Sequence, residues 1–400
     1  MTRAIQVVTC VAMVFFLFSS AENGNTTELT GSATLEGRLF PHSPAYQNQK
    51  DQNGSLALVA ELYQGFPSGS SAIISPFVRF DSSDPQRTHF DFRELNFFYL
   101  GESWELTTGI SRVYWGATEF VHLVDIINQA DLVESLDGED KLGQPMLHLA
   151  VIRDWGVVEG FLLPYFRERT FPGKNGRLRG PLVTDTSQAI YESGAGQHHI
   201  DIAARYSCTI GMCDLGISQF IGTGREPTLI TGTNISGEHV LIPYYPQISQ
   251  TGIDLQMADG EWLWKGEAIY RSGQSRSFAA ATIGFEYTMY GLFRSAMDLG
   301  MIGEYIFDDR DETVSTPYDN DLMAGLRWTW NDVDDTNLLV GIIKDLEDPS
   351  LILTLEGSRR LGESAKVEVT AVFFAETSEN DPVYFFRDDD FIKVEIIIYF

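Results

Sequence analysis

The sequence predicts an all-β fold: a transmembrane antiparallel β-barrel of about 18 strands, with 16 as the alternative count, and a partly helical loop folded inward. Three observations predict it. The chain ends in FIKVEIIIYF, where Ile392, Val394, Ile396, Ile398 and Phe400 share one strand face. Lys393, Glu395, Ile397 and Tyr399 share the other, because strand side chains alternate with period two. Alternation of this kind recurs in about 18 segments. The connections between those segments alternate short and long, which a sandwich or propeller has no reason to produce.

Taken in order, residues 1–21 read as a signal peptide. Arg3 precedes an apolar run from Val11 to Phe18, and Ser19, Ser20 and Ala21 supply small residues for cleavage after Ala21. Cys10 lies ahead of most of the apolar run, so a lipoprotein anchor is not expected. Residues 22–31, ENGNTTELTG, form a short polar periplasmic segment, and residues 32–400 a single barrel. No later stretch reaches the roughly 18 uninterrupted apolar residues of a membrane helix, so any crossing is made by strands.

Those strands are expected at 32–40, 54–65, 70–81, 88–100, 103–114, 144–153, 156–167, 197–208, 212–222, 250–258, 261–271, 278–290, 292–305, 321–331, 336–345, 349–360, 364–376 and 389–400. Even connections are short: GFPSGS, GES, DW, the turn between Cys208 and Cys213, MADG, the turn near Gly291, NDVDD and RLGES. Most odd connections are long: 41–53, 115–143, 168–196, 223–249, 306–320 and 377–388. Parity within strands separates two environments. Trp262, Trp264, Ala268 and Tyr270 face lipid while Lys265, Glu267 and Arg271 face inward. Thr354, Glu356, Ser358, Lys366, Glu368 and Thr370 are likewise inward.

About 18 strands enclose an aqueous lumen rather than a packed core. The insertion from Trp115 to Gly143 is the candidate to narrow it, with Phe120, Leu123, Val124 and Ile127 at helical spacing. Folded inward, it brings Asp125, Asp131, Glu134, Asp137, Glu139 and Asp140 toward the wall. The wall has cations at inward parity in Arg38, Arg79, Arg93, Arg205, Lys265, Arg271 and Arg327, and the acid Glu267 also faces the lumen. Acids facing cations imply a transverse field that favours polar solutes and some ions. The implied function is a passive channel for small polar solutes.

Formal charge is −28, and loss of residues 1–21 removes Arg3 and no acid, giving −29. That argues against nucleic-acid and polyanion partners. Cys208 and Cys213 could close a hairpin disulfide in an oxidising compartment, with two free thiols as the alternative. The acid runs Asp308–Glu312, Asn331–Asp335 and Arg387–Asp390 could hold Ca²⁺ or Mg²⁺, shared with lipopolysaccharide. Solvated loop charge is the simpler reading, since none spaces its ligands as an EF-hand does, and no metal site is assigned. His148, His198, His199 and Ser207 lie on or beside strands, but without a nucleophile elbow no enzymatic activity is expected.

The carboxy-terminal strand, with Val394, Ile396, Ile398 and terminal Phe400, resembles the assembly signal of Gram-negative outer-membrane β-barrels. YWGATEFVHLVDIINQADL resembles a region of porin-like outer-membrane barrels of unassigned function: Trp115 and Gly116 end a strand, and Asp125, Asn128 and Asp131 form the Asp-x-x-Asn-x-x-Asp stretch that follows. The resemblance implies an outer-membrane barrel, with lipid, lipopolysaccharide and the assembly machinery as partners. It names no solute. A homo-oligomer remains open. The alternatives are a transporter of hydrophobic or specific substrates and a non-conducting surface receptor or adhesin, the latter drawn from loops 168–196 and 223–249 with Tyr191, Tyr244 and Tyr245.

Overall fold

The computed structural model describes residues 26–310, 316 and 318–400; the expected signal peptide lies outside them. In chain order the strands are β1 (Thr26–Leu39), β2 (Gln52–Gly65), β3 (Ser71–Asp81), β4 (His89–Leu100), β5 (Trp104–Ser111), β6 (Gln144–Arg153), β7 (Gly156–Leu163), β8 (Ile190–Tyr191), β9 (Asp201–Ile210), β10 (Cys213–Thr223), β11 (Thr228–Thr233) and β12 (His239–Tyr245). They continue with β13 (Gln247–Asp259), β14 (Trp262–Ser272), β15 (Phe278–Met289), β16 (Asp298–Asp308), β17 (Asn320–Thr329), β18 (Asn337–Asp345), β19 (Leu351–Arg360), β20 (Ala365–Ala375) and β21 (Phe391–Tyr399). Eighteen of them pair antiparallel with their neighbours in one closed sheet, and β8, β11 and β12 form a separate three-stranded sheet. All eighteen expected strands are present.

Closure joins β1 to β21, with Glu36 opposite Glu395 and Arg38 opposite Lys393. Gly31 and Phe400 complete the seam by exchanging backbone hydrogen bonds of 2.9 and 3.0 Å. A side chain at position 31 would meet the Phe400 ring at 2.7 Å, so the glycine is what lets the terminal ring lie across the joint.

Burial divides each strand by parity. Ile392, Val394, Ile396, Ile398 and Phe400 are exposed on the outer face, and Trp262, Trp264, Tyr270 and Ile283 continue it on β14 and β15. Aromatics gather at the end carrying the short turns: Tyr99 stacks on Trp104, Trp155 packs near Tyr206, and Trp262 stacks on Trp264. Rings with an apolar body and a polar edge suit the membrane interface. On β4 a bulge opposite Ser75 and Pro76 shifts the register, bringing Arg93 and Glu94 to the inner side together.

Three local expectations need correction. Residues 292–297 form a turn and not the start of β16, with Gly291, Phe293 and Arg294 all at positive φ. Loops 168–196 and 223–249 hold β8, β11 and β12. Cys208 and Cys213 are free thiols: Cys208 stands opposite Leu215 and Cys213 opposite Ile210, which makes the pair diagonal. Diagonal neighbours sit about 7–8 Å apart, beyond normal disulfide reach.

Candidate functional site

The β5–β6 connection, residues 112–143, enters the lumen and is held on opposite walls. At its base the Asn128 side chain accepts the Val113 N–H at 2.8 Å and donates to the carbonyls of Ser111 and Leu142 at 2.9 Å each, pinning the two ends together. Trp115 is buried, edge-on to Phe161 at 5.5 Å, with the Arg205 guanidinium 5.4 Å from its ring. Gly116 follows at φ 151°, where a β-carbon would press on Tyr114, Glu267 and His122.

From there the chain crosses to β14 and β16. Glu267 accepts the backbone N–H groups of Ala117, Thr118 and Val124 and the Thr118 hydroxyl, at 2.7–3.1 Å. Glu304 accepts those of Glu119 and Phe120 at 2.6 and 3.1 Å. This overturns the expected helical stretch: no helix forms at Phe120–Ile127. A hydrogen bond to a charged acceptor contributes about 1.5–3 kcal/mol against about 1 kcal/mol for an ordinary amide pair. Two wall carboxylates therefore outcompete the loop's own carbonyls. The apolar residues still bury themselves: Leu123, Val124, Ile126 and Ile127 join an inner-wall belt that includes Phe161, Phe220, Phe278 and Met323. The inner wall at this level thus carries a packed apolar belt, where parity places polar and charged side chains around an aqueous lumen.

The loop then returns to β1–β4. Asp131 lies 2.8 Å from Arg93 and accepts the Thr170 hydroxyl at 2.7 Å. Glu134 meets Arg79 at 2.6 Å, and its carbonyl accepts from Arg38 at 3.1 Å. Arg79 and Arg38 also share Glu36, at 3.1 and 2.8 Å. Burial alone would raise the Asp131 carboxyl, but the His89 imidazole 3.7 Å away and the Arg93 charge bring it down to about 2. Asp125 shifts the other way, because burial outweighs Lys141 at 3.1 Å. Asp137, Glu139 and Asp140 stay exposed. Asp137 and Glu139 lie within electrostatic range of Glu356 on β19.

Among the wall residues named from parity, Arg205 makes a two-pronged pair with Asp254 at 2.7 and 2.8 Å. Lys265 reaches Glu119 at 3.2 Å, and Arg327 bridges Glu286 at 2.9 Å and Glu119. Arg271 holds Gln250 and Glu226, each at 2.7 Å. Arg38, Arg79 and Arg93 are therefore spent in buried pairs that hold the loop down. The expected field of free wall cations facing loop acids is not what the geometry contains.

Sequence reasoning missed Glu36, Arg87, Arg225, Glu226 and Glu304. Arg87 donates to Glu36 and to the Val133 carbonyl; Arg225 donates to the Ile127 carbonyl and pairs with Asp201 at 2.8 Å. Glu304 had a signal, as a lone acid at inward parity in MIGEYIF. Arg87 and Arg225 sit in connections, where parity gives no direction.

A second loop, 164–200, runs over the mouth. Thr170 touches Asp131, Gly173 donates to Asp84 at 2.8 Å, and Arg177 pairs with Asp389 at 2.5 Å while donating to the His42 carbonyl. It starts beside β7 and reaches β1 and β21 across the ring.

No protein-family model and no curated protein matches the sequence. Solved structures do resemble the fold. A BenF-like porin from Pseudomonas fluorescens Pf-5 aligns at 10% identity with a TM-score of 0.55, over 94% of this chain and 98% of its own. Pseudomonas aeruginosa OccK2 (OpdF) aligns at 10% identity and 0.54, over 94% and 97%. Wzi from Escherichia coli, an outer-membrane protein involved in group 1 capsule assembly and described as a carbohydrate-binding β-barrel, aligns at 10% identity and 0.56, over 93% and 84%. With the closed eighteen-strand wall, these likenesses show that the chain has the fold of the porin-like outer-membrane β-barrels.

Proposed function

We propose that this protein is an outer-membrane, porin-like channel through which small polar solutes or ions diffuse passively, narrowed by loop 112–143. The observation that carries the reading is the loop's double attachment, to Glu267 and Glu304 on one wall and to Arg38, Arg79 and Arg93 on the other. A segment fixed at both walls sets a defined aperture. Below it the lumen carries exposed polar side chains, among them Glu61 and Glu356. In this reading the outer face meets lipid and lipopolysaccharide, the β21 strand engages the assembly machinery, and the chain is not an enzyme.

The test is single-channel current of the refolded mature protein in a planar bilayer, beside a variant lacking residues 117–140. Discrete steps are expected, larger in the variant. Equal currents would show that the loop does not narrow the path. Silence from a folded, heat-modifiable barrel would favour the second reading, a non-conducting barrel that binds ligand at its surface. That reading draws on the 164–200 loop across the mouth and on the likeness to Wzi.

A further inference from the structure

Charge pairing inside the lumen is one-sided. The side chains of Arg79 and Arg93 are each 7% exposed and that of Arg87 is 5%, every one against carboxylates on the wall or loop. Lower down, Arg205 is paired with Asp254, Lys265 with Glu119, Arg327 with Glu286, Lys366 with Glu368 and Lys393 with Glu395. The acids are not all consumed in return. Asp137 and Asp140 on the loop, Glu356 on β19 and Glu61 on β2 are exposed, and none has a basic side chain within 4.0 Å among the described residues. Glu61 and Glu356 share the inner face with Ala57 and Ile352, by the same parity that buries those two residues.

We infer that the narrowing and the lumen below it act as a cation filter, with Asp137 and Asp140 on the loop and Glu356 and Glu61 on the wall beneath it as its selectivity-determining residues and small cationic solutes as the class it favours. The inference rests on the channel reading. Unpaired carboxylates in a confined, low-dielectric lumen raise the local concentration of cations and exclude anions, and the effect grows as salt falls because the screening length lengthens from ~10 Å at 0.1 M to ~30 Å at 0.01 M. The expected transverse field gives way to a field of one sign, since the arginines that would have balanced it are occupied in holding the loop.

The experiment is the reversal potential of single channels in a potassium chloride gradient. The unaltered protein is expected to favour potassium over chloride on the order of tenfold at low salt. In the combined variant Asp137→Asn, Glu356→Gln, Glu61→Gln the current steps should persist while that ratio falls toward one. Asp335→Asn, in a short turn outside the lumen, removes the same kind of charge and should leave the ratio in place. Absent current from folded protein would overturn the channel reading and the filter with it. Current without cation preference, or a preference that the triple variant leaves untouched, would overturn the filter alone.

Discussion

Asp131 carries much of the loop's attachment, and its chemistry fixes a pH window. The residue is fully buried against Arg93 and within 3.7 Å of His89. Its carboxyl falls from an ordinary 3.8 to about 2. A depressed carboxyl stabilises docking above its unfolded value, so the contribution is complete above about pH 4 and is lost as pH falls through about 2. Near-UV circular dichroism from buried Trp115 should therefore hold steady down to about pH 4 and collapse below it. In Asp131→Asn the loss should already be present at neutral pH, at about 3 kcal/mol, because removing one partner leaves a buried Arg93 charge underpaired; a variant with the unaltered signal would contradict this. The Asp-x-x-Asn-x-x-Asp stretch was legible as a unit in the sequence. The partners of its residues were not, since they stand on strands remote in the chain and the bonds that choose them are tertiary.

Elements divide along the same line. Barrel strands were legible because an apolar outer face and a more polar inner face impose period two on them, so parity alone assigned Lys265, Glu267 and Arg271 to the lumen. The loop was misread because its apolar residues at helical spacing answer to the inner-wall belt, while its N–H groups answer to Glu267 and Glu304. β11 and β12 were passed over although TLITGT and HVLIPYY alternate, because a barrel pattern leaves no place for a hairpin outside the wall. The seam between β1 and β21 allows a sharp test. Gly31→Val would drive a branched side chain into the Phe400 ring and the Val59 carbonyl. The variant should lose its folded, heat-modifiable band at a temperature several degrees lower, about 1–3 kcal/mol of overpacking. An unshifted transition would mean that the ring does not need the space.

At the scale of the whole molecule the outside loops are bound to one another as well as to the barrel. Arg177 joins loop 164–200 to Asp389 and to the carbonyls of His42 and Lys50, and Asp84 accepts from Gly173. Arg177→Ala should free this cover, and limited proteolysis should cut within 164–200 at least tenfold faster while the barrel remains intact; an unchanged cutting rate would locate the restraint elsewhere. The joint between Gly31 and Phe400 has a consequence in time. It pairs the first described strand with the last, so the ring cannot shut until β21 has been delivered. No circular wall can exist around a half-delivered chain, and long-range closure of this kind is intrinsically slow. The chain must therefore be kept from aggregating, open-edged, until β21 arrives. A polypeptide lacking β21 would carry the other seventeen barrel strands and still hold its ring ajar, because β21 meets β1 at eight positions from Ser32–Tyr399 to Leu39–Ile392.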